Sequence, residues 1–228
     1  MIEIIPTVVP HSLSDIEATA DACSAFARVL HVDIADGMFA RNVTWPYSAP
    51  AMLDAAMLGD FRALGMQVEV HLMVENPREL GSLCAQAGAL RIIGHIEVMK
   101  GNAAEVFGEW KKSGAKEVGL GILFQTPLNV LDPHLSNCDV VQMMTIASIG
   151  MQGIPYETSA PARIEKLYVG HPDLLIGVDG GVSEKNIVEL TKAGARRFCA
   201  GSALSTSADP AASYRNLLAL SEAAAARA

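Results

Sequence analysis

The chain has 228 residues, half of them hydrophobic and 18% charged, which is ample apolar material for one substantial core. A formal net charge of -8 with no block of Lys or Arg argues against nucleic acid and anionic membrane as partners. No basic segment followed by an apolar run opens it and no uncharged stretch nears the roughly 20 residues of a membrane span. Cys23, Cys84, Cys138 and Cys199 show neither metal-ligand spacing nor a disulfide framework, so a protein of the reducing cytoplasm is expected.

Residues 2–9 are an apolar run stopped by Pro10 and read as a first strand. Ser12 or Ser14 is placed to cap the next helix, with Ile16, Ala20 and Cys23 on its inner side. Residues 29–34 are β-branched and apolar and form the second strand. His31 and Asp33 interrupt it, and a period of two sends both to one face, roughly 7 Å apart. A buried carboxylate is costly unless paired. A divalent metal would pair it, and so would a His–Asp hydrogen bond in the core; the stretch alone leaves both open. The loop 37–50 leads to an expected helix around 51–64. Residues 68–74 are a third strand closed by Asn76-Pro77, a helix runs to about Ala87, and 90–98 is a fourth strand with His95 and Glu97. A helix over 103–113 ends at Gly114, which suits a C-cap. Strands follow at 118–124, 139–146, 174–178 and 197–200. Thr126-Pro127 opens a short helix, a further helix starts near Ala160, Ser183 caps one with Glu184 in its first turn, and the last begins near Pro210.

Eight strand–helix units, roughly 25–30 residues apart, suit a βαβ repeat and point to a (β/α)8 TIM barrel as a single domain over 1–228. An open doubly wound sheet is the alternative. Against it, no Gly-x-Gly-x-x-Gly follows the first strand, and polar residues recur at several strand ends. A barrel gathers those ends on one rim. There His31, Asp33, His71 and Asp179 would form a four-ligand divalent site with positions left for substrate oxygens. A core role for His71 and a turn role for Asp179 are the plainer readings of each residue alone. Asp179-Gly180-Gly181-Val182 and Ala200-Gly201-Ser202-Ala203 would cradle a phosphate with backbone N–H groups, although tight βα turns use glycine in any case.

Taken together these segments resemble the ribulose-phosphate 3-epimerase family. The matching pieces, in family order, are Pro6-Thr7, His31-Val32-Asp33 with Asp36-Gly37 and Phe39, His71-Leu72-Met73-Val74 with Asn76-Pro77, and His95-Ile96-Glu97. Thr126-Pro127, Met144-Thr145, the Asp179 turn and the Gly201 turn complete them. The resemblance implies a ribulose-phosphate-binding barrel of the pentose phosphate pathway. It would interconvert D-ribulose 5-phosphate and D-xylulose 5-phosphate by two-base proton transfer at C3 through a metal-stabilised enediolate. It also implies one divalent cation (Zn, Mn or Fe) on His31, Asp33, His71 and Asp179, with Asp33 and Asp179 as the acid/base pair. Thr7 would keep the hydroxyl of the family's strand-one serine. Met73 and Met144 match methionines that line the intermediate, an ordinary core role being the other reading.

The chain departs from the family at Ala35, where a methionine is usual, and at Leu123-Phe124-Gln125. It departs most in the loop 147–157, where Gly150 and Gly153 fall on family glycines if a gap is allowed. These changes spare the metal and proton-transfer set and bear on the sugar, a hexulose 6-phosphate being the alternative ketose. A related barrel decarboxylase or lyase would carry a lysine near the strand-two or strand-three acids, whereas Lys100 lies beyond strand four. A barrel that only binds a phospholigand would have lost an aspartate, and both are present. A homo-oligomer is expected.

Overall fold

The computed structural model describes residues 1–151 and 154–226. Eight parallel strands close into a barrel: β1 (Glu3–Val8), β2 (Val29–Ala35), β3 (Gln67–Met73), β4 (Arg91–His95), β5 (Glu117–Ile122), β6 (Val140–Met144), β7 (Ile176–Asp179) and β8 (Arg197–Ala200). Around them lie α1 (Leu13–Cys23), α2 (Pro77–Gln86), α3 (Ile96–Met99), α4 (Ala103–Ser113), α5 (Ala160–Gly170), α6 (Ile187–Lys192), α7 (Ser202–Ser205) and α8 (Pro210–Ala225). The fold is the expected (β/α)8 barrel.

Alternation along each strand separates two environments. Leu30, Val32 and Ile34 of β2, with Val68, Val70 and Leu72 of β3, belong to the apolar cluster shared with the helices. The alternate residues, His31, Asp33, Glu69 and His71, turn into the barrel, where all are buried. Register then sets the levels. Asp33 stands opposite His71, Thr7 opposite His31, and both Met144 and Cys199 opposite Asp179. Residues far apart in the chain thus reach one layer.

Four local expectations need correction. Residues 51–64 do not form an α-helix. A small hairpin (Tyr47–Ala49 with Met52–Leu53) and two 3-10 turns (Ala55–Met57 and Phe61–Leu64) occupy the connection. Asp54 and Asp60 each accept the N–H two residues on, a local bond that competes with helix propagation. Phe61 is the one buried side chain within those two turns, so no continuous apolar face exists to hold a helix down. The segment after Pro127 is likewise a single 3-10 turn, Leu128–Val130. Strand β4 stops at His95, which puts Glu97 on the helical turn α3. Finally, α6 begins after Asn186 and is not capped by Ser183; the Asn186 side chain accepts from Ser183 N–H and donates to Gly181 C=O.

The rim loops are tied to each other. Asp36 accepts the N–H groups of Met38 and Phe39 at 2.8 and 2.9 Å and that of Glu75 at 2.7 Å, which joins the loops after β2 and β3. Asn42 Nδ2 donates to Gly150 C=O at 3.0 Å, bringing the loop after β6 onto the loop after β2. Gly150 has φ +86, and a Cβ there would lie 2.9 Å from Ala40 Cβ and 3.7 Å from Ala35 Cβ. The small residue at 35 and the altered loop are therefore packed together. Gly150→Ala is expected to lower stability by about 1–2 kcal/mol from the left-handed backbone and to increase proteolytic cutting near this loop; unchanged urea unfolding and cleavage would contradict this. Trp110 of α4 lies against Gly81 of α2 and Gly94 of β4, and a Cβ at Gly81 would stand 2.3 Å from its Nε1. Gly81→Ala should therefore cost about 1–3 kcal/mol by overpacking, read as a lower urea midpoint with an unchanged slope.

Candidate active site and metal centre

The ends of β2, β3 and β7 deliver His31, Asp33, His71 and Asp179 to one point, with one donor atom from each within 4.8 Å of all the others. Asp33 Oδ1 is 3.2 Å from His31 Nε2 and 2.9 Å from His71 Nδ1. Asp179 Oδ2 is 3.9 and 3.4 Å from the same two nitrogens. Two imidazole nitrogens and two carboxylate oxygens converging in a buried pocket are a donor set that fits Zn, Mn or Fe.

The hydrogen bonds behind the rings fix which nitrogen is free. A carboxylate can only accept, so His31 Nδ1–H donates to Glu69 Oε1 at 2.6 Å and leaves Nε2 facing the centre. His95 Nδ1–H donates to Glu97 Oε2 at 3.1 Å. That leaves His95 Nε2 as the acceptor for His71 Nε2–H at 2.9 Å, and the His71 Nδ1 lone pair faces the centre. Phe39 packs on the His95 ring with centroids 5.0 Å apart. Gly121 also makes room for that ring, since a Cβ there would come within 3.0 Å of it. Glu97 also accepts Leu123 N–H at 2.9 Å. Both histidines are thus backed by a carboxylate, one directly and one through a second imidazole.

Electrostatics agree with a site built for positive charge. Burial would lower the pKa of both rings. Cys199 and Asp33 around His31, and Asp179 and Asp33 around His71, raise them nonetheless. Burial would likewise raise the Asp33 carboxyl, but His31 and His71 hold it below the ordinary range. Burial also opposes charge on Glu97, yet His95 brings it down to about 2.

Above the centre opens a cleft. Asp33, Asp179, Thr7 of β1, Met73 and Met144 line it. The turns Gly180-Gly181 and Gly201-Ser202 line it too, as does Gly150. Both turn glycines after β7 have positive φ, +115 and +68, so the chain there needs the freedom of glycine. Met73 and Met144 share an apolar cluster with Ala35, Ala40, Ile146 and Ile149. The structure brings together every described residue expected at the site; Gly153 lies outside the described residues. Glu69, Gln142 and the arginines near Glu69 were not foreseen. Gln142 Nε2 approaches Asp179 Oδ2 at 3.4 Å. A signal for Glu69 was present, since it lies two residues before His71 on the same face of β3.

Among the described residues no helix is long and apolar enough to cross a membrane, and the four cysteines are free thiols. The chain is 30% identical over 218 residues to the ribulose-phosphate 3-epimerase of Mycobacterium leprae, covering 93% of each. It is 32% identical over 199 residues to ribulose-phosphate 3-epimerase 2 of Cupriavidus necator, covering 84% of this chain and 79% of that one. Among solved structures, 3-hexulose-6-phosphate synthase from Salmonella typhimurium superposes with a TM-score of 0.65 at 13% identity, covering 98% of this chain and 100% of that one. At that identity the likeness speaks to the fold alone. Residues 3–205 match the sequence model described as the ribulose-phosphate 3 epimerase family, and the chain belongs to that family.

Proposed function

We propose that the protein is a metal-dependent epimerase that inverts C3 of a ketose phosphate, D-ribulose 5-phosphate to D-xylulose 5-phosphate and back, in the cytoplasm. The observation that carries this reading is the meeting of Asp33 and Asp179, from β2 and β7, at one four-donor centre below a single cleft. Inversion beside a ketone requires a proton to leave one face of the carbon and return on the other, which two separately mounted carboxylates can do. Asp33 Oδ1 and Asp179 Oδ2 are the oxygens turned toward the two ring nitrogens, which leaves Asp33 Oδ2 and Asp179 Oδ1 for the proton. One aspartate takes the C3 proton as the C3–H electron pair moves toward the C2 oxygen. The other, protonated at the outset, returns a proton to the opposite face, and the roles exchange in reverse.

His31, Asp33, His71 and Asp179 would hold a divalent cation, which when bound would supply positive charge to stabilise oxyanion character at the reacting centre. Met73 and Met144 keep water from the reacting carbon with a polarisable apolar wall. Thr7 donates a hydrogen bond to a substrate oxygen, and the turns at Gly180-Gly181 and Gly201-Ser202 receive the phosphate on their N–H groups. The rebuilt loop after β6, which sets Ile146, Gly150 and Met151 on the cleft, favours a second reading of the same chemistry on a hexulose 6-phosphate. Relative kcat/KM on the two ketoses decides between them.

In D2O the protein should place one deuterium at C3 of ribulose 5-phosphate, read by NMR; complete retention of that hydrogen across ketose phosphates, with metal bound, would remove the epimerase reading. Asp179→Asn should lower kcat by about 10²–10⁴-fold while the barrel stays folded, and full turnover in this variant would rule out an acid/base role. Exhaustive chelation should abolish activity, with Zn, Mn or Fe restoring it; undiminished turnover after chelation would contradict the metal dependence.

A further inference from the structure

Beneath the four-donor centre lies a second layer of charge. Glu69 of β3 is fully buried and uses both oxygens: Oε1 accepts from His31 Nδ1 at 2.6 Å, and Oε2 accepts from Arg91 Nη1 at 2.5 Å and from Arg197 Nη2. Both arginines are buried as well. Each is held from outside, Arg91 Nε by Glu117 and Arg197 Nε by Glu3, both at 2.7 Å. These charged residues come from β1, β3, β4, β5 and β8, and His31 adds β2, so the cluster spans most of the barrel interior.

Such a layer is a poor way to stabilise a fold. Buried ion pairs replaced by well-packed apolar residues often leave a protein equally or more stable. Here the cost is visible, because Arg197 Nη1 is buried without a hydrogen-bond partner among the described residues. What the layer does achieve is directional. Two guanidiniums occupy Oε2, which fixes the Glu69 carboxylate plane and leaves Oε1 aimed at His31 Nδ1. A carboxylate so paired is an acceptor only, and it holds the ring with Nε2 toward Asp33 and Asp179. His71, by contrast, reaches its carboxylate only through His95.

We propose that Glu69, clamped by Arg91 and Arg197, is a positioning residue that fixes the tautomer and orientation of His31 and thereby sets the affinity of the site for a divalent cation. The proposal rests on the metal reading above. The buried arginines then act on the rim centre through one hydrogen bond, although neither touches it.

The test uses the metal-stripped protein, Zn2+ in competition with a chromophoric chelator, and ¹⁵N-histidine NMR of the Zn2+-loaded form. Glu69→Gln keeps the side-chain size and removes the charge. It should weaken Zn2+ binding about 10–100-fold, the usual effect of losing such a backing group, and displace the strongly hydrogen-bonded His31 Nδ1–H signal. A merely structural ion pair would lower thermal stability and leave both readouts unchanged, which would overturn the proposal. Should Glu69→Gln fail to fold, the unsubstituted protein decides: His31 must carry its proton on Nδ1 when Zn2+ is bound, and a proton on Nε2 sinks the idea. If the unsubstituted protein takes up no Zn2+, the metal reading fails along with this one, whereas tight binding unaffected by Glu69→Gln defeats this one alone.

Discussion

Asp33 and Asp179 bring two carboxylates, their side chains only 9% and 14% exposed, to one point, where a charge on each would raise the cost of the other. The surroundings answer that constraint in several ways at once. Two imidazoles turn a nitrogen each toward the carboxylates, and the four donor atoms close to within 4.8 Å. Carboxylates further back support those imidazoles, Glu69 by a direct bond to His31 and Glu97 through His95 to His71. A divalent cation on these four donors would complete the balance, and the proposed epimerisation calls for a cation at that place.

The barrel supplies this without spending its core. Outward positions on β2 and β3 are aliphatic and pack against helices, so the inward positions are free to be polar. Room for large interior side chains comes from glycine: Gly121 lies against His95 and Gly177 faces Arg197. Met73, Met144 and Ile146, which line the cleft, belong with Ile149 to a separate, smaller apolar cluster. Stability and chemistry therefore occupy different faces of the same strands.

Much of this could be read from the residues alone, and the reason is periodicity. Alternation marked His31 and Asp33 as sharing a face, and eight strand–helix units implied a common rim for His71 and Asp179. The 51–64 connection was misread because an apolar count cannot reveal that Asp54 and Asp60 turn back on their own backbone. Glu97 was misplaced for a similar reason, since the apolar run continues past the end of β4. Glu69 itself was signalled by its place two residues before His71, but the charged layer around it was not legible. Its partners Arg91 and Arg197 lie 22 and 128 residues away, and only barrel closure and strand register bring them together.

The central claim is that four side chains from three strands hold one cation between the two aspartates. Anomalous diffraction from Zn2+-loaded crystals, recorded on both sides of the zinc absorption edge, tests it most directly. The account predicts one dominant peak bounded by His31 Nε2, Asp33 Oδ1, His71 Nδ1 and Asp179 Oδ2. A bound zinc elsewhere on the chain, with Asp33 and Asp179 turned away from each other, would contradict it.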